Sequence, residues 1–216
     1  MLAALIALPA NTTLDYTGLP QLTAPSAYDI RGHTATIKVD SDTVTVESTT
    51  EYRYRGDTAT GQILIPRVRV DPDNPTPEPP TFAVDATWDK QPIVFNTVTV
   101  QPTDAGGPSG AVKSYLSANV VLGKQATHAL RLKITTPLGR TGKSPQRRIA
   151  GYLLEGKVPI GVLNISFQYG PPTVFNLPDV APKLGWQYGT HGAFIRKTNY
   201  TPTGEIASIA FWPGGF

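Results

Sequence analysis

The chain has 216 residues, with 20 Gly, 21 Pro and 27 Thr, no Cys, and only 16% charged residues. That composition excludes a helical bundle, a coiled coil and a charged disordered tail, and the lack of cysteine excludes a disulfide framework, a thiolate zinc site and a thiol nucleophile. The net charge of +3 is uneven: residues 1–100 carry seven Lys/Arg against twelve Asp/Glu, and residues 101–216 carry twelve against four. This suits two faces of different surface chemistry, or head-to-tail contact between copies.

The first ten residues, MLAALIALPA, form an uninterrupted apolar run with no Lys or Arg before it. The run resembles the apolar stretch of a secretory signal, with Ala10 as the cleavage edge, and is too short to span a membrane. Alternatively, Leu2, Leu5, Ile6 and Leu8 act as an assembly strand that completes the sheet of the same chain or of a neighbour.

Residues 11–216 read as a β-domain. From Tyr28 onward, Thr34–Val39, Thr43–Glu47, Thr49–Arg55 and Gly61–Val70 are β-branched or alternating, with Arg55–Thr58 as a turn. Five prolines within Asp71–Pro80 end any ladder and form an exposed, extended connection. A subdivision of the chain near residues 71–81 follows from that segment. Phe82–Trp88 and Pro92–Val100 are the next strands, followed by a Gly/Pro loop at Gln101–Gly110. Val112–Leu122 and Ala126–Thr136 read as a hairpin around Gly123-Lys124-Gln125, and Ile149–Glu155 and Val158–Gln168 as strands joined at Gly156-Lys157. Thr173–Leu177, Ala193–Lys197 and Glu205–Trp212 complete ten to twelve strands. The fold class is therefore all-β: an antiparallel sandwich or jelly-roll-like domain, or two packed sandwiches.

Motifs for chemistry are sparse. Pro137-Leu-Gly-Arg-Thr-Gly-Lys-Ser144 ends like a phosphate-binding loop, but Pro137 replaces the first Gly and strand character resumes where a helix should begin. The better reading is a basic hairpin loop, with Arg140, Lys143, Arg147 and Arg148 available to anionic polymer or lipid head groups. His33, His128 and His191 show no metal-ligand spacing, and His128 is assigned to the polar phase of its strand. No Gly-x-Ser-x-Gly elbow appears. Asp71, Asp73 and Asn74, and Asp40 with Asp42, offer oxygen ligands without a recognisable calcium loop. Trp88, Trp186 and Trp212, with nine Tyr, are candidates for a sugar-stacking platform. Scattered basic residues with no recognition motif exclude nucleic acid as the expected partner.

The stretch Thr43–Val70, with Tyr52-Arg-Tyr-Arg-Gly-Asp-Thr58 and then Ile63-Leu-Ile-Pro66, resembles the opening hairpin of secreted bacterial β-sandwich families, as in vault/inter-alpha-trypsin-type modules. Arg55 stands where that pattern has Asn. The resemblance implies an envelope-associated β-sandwich and carries over no catalytic residues. The expected function is a non-enzymatic exported protein, secreted or at the cell surface, with a structural or interaction role and no cofactor. The alternatives are a filament subunit assembled by strand donation and a carbohydrate-binding module. Expected partners are copies of itself, other envelope proteins or carbohydrate, with no transmembrane span.

Overall fold

A computed structural model describes residues 12–71, 73, 74, 78, 80–98, 111–141, 147–169, 179–181, 185–189 and 192–211. The candidate assembly residues Leu2, Leu5, Ile6 and Leu8, together with Lys143, His191, Trp212 and the strand expected at 173–177, lie outside this set. So does the side chain of Arg147.

Among the described residues there are seventeen strands. The first nine are β1 (Leu14–Gly18), β2 (Gln21–Thr23), β3 (Tyr28–Val39), β4 (Thr43–Tyr54), β5 (Ala59–Val70), β6 (Ala83–Trp88), β7 (Gln91–Pro92), β8 (Asn96–Val98) and β9 (Ala111–Leu122). They are followed by β10 (Thr127–Pro137), β11 (Gly139–Thr141), β12 (Arg147–Leu154), β13 (Ile160–Tyr169), β14 (Asp179–Ala181), β15 (Gln187–Gly189), β16 (Gly192–Tyr200) and β17 (Glu205–Phe211). Among the described residues no helix is long and apolar enough to cross a membrane.

The strands form two sheets packed face to face. The nine-stranded sheet runs β14-β17-β12-β1-β5-β9-β8, with β2 beside β5 and β11 beside β12. The eight-stranded sheet runs β15-β16-β13-β3-β4-β10-β6-β7. The all-β sandwich expectation holds. Both sheets are mixed rather than purely antiparallel, because β1 runs parallel to β12 and β13 parallel to β3. Strands from either side of residues 71–81 are interleaved: β5 pairs with β9, β4 with β10 and β3 with β13. The described strands therefore build one sandwich, with a single main core that takes Ile37, Tyr52, Ile63 and Ile65 from before the proline-rich segment and Leu130, Ile165, Phe167 and Ile209 from after it.

Two expected connections are corrected. β9 lies in the nine-stranded sheet and β10 in the eight-stranded one, so Gly123–Gln125 is an arch between sheets, not a hairpin turn. β12 and β13 are likewise split between the sheets. Alternation decides which side chains point inward, but a hairpin and an arch share that alternation, so only the pairing of each strand within its own sheet separates them. The strands expected at Thr43–Glu47 and Thr49–Arg55 are one continuous strand, β4. β1 and β2 precede the first strand expected from the sequence. All five β1 residues are buried: Leu14 and Tyr16 join a second apolar cluster with Val68, Val70 and Leu153, while Asp15 is bonded to Arg69 and Thr17 to the Pro66 carbonyl.

Candidate functional site

The outer face of the eight-stranded sheet is a broad polar surface whose order follows from the strand registers. One row across the strands reads Arg196, Asn164, Thr34, Thr49, Arg131, Thr87. The next reads Phe194, Ser166, Thr36, Glu47, Lys133, Asp85, and the third Gly192, Gln168, Lys38, Thr45, Thr135, Ala83. Threonine suits this position because its branched Cβ packs well on a pleated surface while its hydroxyl meets water. Hydrogen bonds link neighbours within a row and between rows: Ser166 Oγ donates to Thr36 Oγ1 at 3.2 Å in the second row, and Lys38 Nζ in the third row to Glu47 Oε2 in the second at 2.7 Å. The Lys38 hydrogen bond is the main cause holding the Glu47 carboxyl below its ordinary pKa.

Phe194 interrupts the polar rows. Its neighbours Ala193 and Ile195 point into the core, 1% and 4% exposed, whereas Phe194 faces outward at 46%. It borders a cleft of about 630 Å³ at the β13–β16 end of this face, whose lining includes Lys38, Asp40, Ser166, Gln168 and Tyr169. Gly192 forms part of the wall. A Cβ there would lie 2.4 Å from the Phe167 carbonyl oxygen, so only glycine allows β16 to approach β13 at this point. The cleft thus joins one exposed aromatic ring to a hydroxyl, an amide, a phenol and a lysine already paired with a carboxylate.

The two described histidines are not on the surface. His33, 1% exposed, is bonded through Nδ1 to Thr50 Oγ1 and through Nε2 to Tyr152 OH, each at 2.8 Å. Burial pushes its pKa down to about 3, so the ring is neutral. His128 is 5% exposed and shares the inward phase of Leu130, Leu132 and Ile134, which corrects its assignment to the polar phase. Its Nε2 accepts the Gly123 N–H at 3.0 Å, so its proton sits on Nδ1 and is donated to Asp89 Oδ2 at 2.6 Å. Asp89 Oδ1 in turn accepts the Ala129 N–H. This Asp–His pair ties the β6–β7 turn to the β9–β10 arch.

The aromatic platform expected of the tryptophans is corrected as well for two of the three. Trp88 and Trp186 are 6% and 8% exposed. Trp88 stacks on His128 and donates its Nε1–H to Val121 O, while Trp186 packs against Phe167. Sequence reasoning passed over Phe194, although the signal was there: in Ala193-Phe194-Ile195 the alternation sends the middle residue to the polar side.

Of the basic loop, Arg140 and Arg148 are brought directly opposite each other where β11 and β12 pair antiparallel; residues 142–146 between these strands lie outside the described residues. Asp71 and Asn74 form a turn, with Asn74 N–H donating to Asp71 O. No group of three or more metal-ligating side chains occurs among the described residues. The proline-rich segment is held at two points: Arg67 Nη1 donates to Pro80 O at 3.0 Å and Arg69 Nη1 to Glu78 O at 3.3 Å. The outermost described strands are short, three residues each in β14, β8 and β15 and two in β7.

The fold matches a known structure. The chain is similar, with a TM-score of 0.71 and 10% identity over 93% of its own length and 72% of the other, to a solved protein from Legionella pneumophila subsp. pneumophila described as a "putative nutrient binding protein". At that identity the likeness establishes the sandwich. No protein-family model and no curated protein matches the sequence.

Proposed function

We propose that this chain is a non-enzymatic exported binding protein that takes a saccharide in the cleft beside Phe194. The observation that carries the reading is a half-exposed aromatic ring in an otherwise hydroxyl- and amide-rich sheet face. A sugar ring has an apolar C–H face that stacks on an aromatic and hydroxyls that exchange hydrogen bonds with side chains such as those of Ser166 and Gln168. Lys38 is engaged by Glu47, which favours a neutral ligand. The nutrient-binding description of the Legionella structure agrees with a binding role. A role without catalysis is supported by the two described histidines: protein groups occupy both ring nitrogens of each, leaving neither available as a general base. Export, to the medium or the cell surface, is supported by the apolar run at residues 1–10 and by the resemblance of Tyr52–Pro66 to secreted sandwich modules.

The test is titration of the purified chain with a panel of neutral oligosaccharides, followed by calorimetry. Phe194→Ala is expected to weaken the binding by about tenfold, equivalent to about 1.4 kcal/mol. If no saccharide binds, or if the variant binds as the natural chain does, the reading fails.

A further inference from the structure

We infer that Arg140 and Arg148, on the β11–β12 hairpin, form a second binding site, for a tetrahedral oxyanion of the phosphate or sulfate type. The two residues are directly opposite in an antiparallel ladder and so project from the same face of the hairpin. Like charges in that relation repel each other, and nothing in the register requires two arginines there.

Arg148 adds an independent observation. Its Nε and Nη1 are sequestered from solvent without a hydrogen-bond partner among the described residues. A guanidinium cannot relieve such a position by losing its proton, so a sequestered and unpaired one calls for an anion. Among the described side chains, the nearby carboxylates do not provide one. Asp15 is engaged by both Nε and Nη2 of Arg69, each at 2.7 Å. Asp42 stands 4.0 Å from Arg140, and its side chain is 72% exposed.

The hairpin is also preorganised. Thr13 and Arg140 exchange two backbone hydrogen bonds of 2.8 Å, which fix β11 beside the entry to β1. Gly139 is packed so closely that a Cβ would fall 2.7 Å from Ile149 O and 2.8 Å from Leu14 Cδ1. The two arginines, at directly opposite positions of the ladder, offer several donors to one small ion. A tetrahedral oxyanion has enough acceptor oxygens to satisfy both, which a single carboxylate does not. The anion would cancel the Arg140–Arg148 repulsion and complete the hydrogen bonding of Arg148. This site is separate from the Phe194 cleft and does not depend on the saccharide reading.

The experiment follows thermal unfolding and calorimetry of the full chain in chloride buffer, with inorganic phosphate and then sulfate added at matched ionic strength. A saturable rise in melting temperature is expected for the natural chain and for Phe194→Ala. It should be absent in Arg148→Gln and weakened about tenfold in Arg140→Gln, whose exposed site makes misfolding no concern. A parallel arm uses vesicles of phosphatidylglycerol and of phosphatidylcholine. Binding to the first alone, lost in both variants, identifies a lipid-borne phosphate, whereas a response to inorganic phosphate identifies a free ion. If neither probe binds, or if Arg140→Gln responds as the natural chain does, the inference is overturned.

Discussion

His33 shows what a single residue contributes when its environment rather than its identity sets its charge. The ring is neutral in the fold, with a pKa near 3, against about 6.5 in the unfolded chain. Because the folded value is the lower one, the unfolded state takes up a proton first as the pH falls. The stabilisation is therefore complete above about pH 6.5 and is lost on acidification towards pH 3, at up to about 1.4 kcal/mol per pH unit. Urea midpoints measured at pH 7, 5.5 and 4 should fall along this course, and His33→Gln should flatten it. Asp89 is the other telling residue. It sits at φ 50° and accepts bonds from both His128 and Ala129. Asp89→Ala should cost about 2 kcal/mol in equilibrium unfolding, and Asp89→Asn distinctly less, because asparagine tolerates the left-handed region and keeps one acceptor.

Among the elements, β16 decides whether the cleft exists. Its alternation sends Ala193 and Ile195 inward and Phe194 and Arg196 outward, and Gly192 allows it to close on β13. Gly192→Ala places a methyl against the Phe167 carbonyl. The expected cost is about 3 kcal/mol in chemical denaturation, since backbone must move to admit it. Hydrogen exchange should then accelerate in β16 while β10, in the middle of the same sheet, keeps its protection. Equal loosening of both strands would show that the β13–β16 contact does not have this local role.

For the whole molecule, the order of the strands matters more than any one of them. Every long strand before residue 71 is paired with one that follows residue 110 or with one so paired. Severing the chain in the proline-rich segment therefore divides both sheets. Fragments 1–71 and 81–216 are each expected to be unfolded by circular dichroism and to regain strand signal only when mixed. Thermal unfolding of the intact chain should be one transition, with tryptophan fluorescence and far-ultraviolet dichroism coincident. A separately folded fragment would contradict the interleaving.

The amino-acid sequence by itself determined the class and the local burial pattern. Leu130, Leu132 and Ile134 alternate with Arg131 and Lys133, and that period of two specifies a strand with one wet face whatever lies beside it. The same rule placed His128 inward and Phe194 outward, although reading residues by polarity alone obscured both. The tertiary structure alone decided the partners. A short turn after Leu122 serves a hairpin or an arch equally well, and the choice depends on pairing energies summed over strands far apart in the chain. His33 finds Tyr152 across 119 positions. The cleft consists of such long-range meetings, which periodicity does not encode because it describes each strand separately and the cleft lies between strands. The arginine pair is the opposite case: its partners sit on consecutive strands, so the basic hairpin was legible and only the exact register of Arg140 with Arg148 was not.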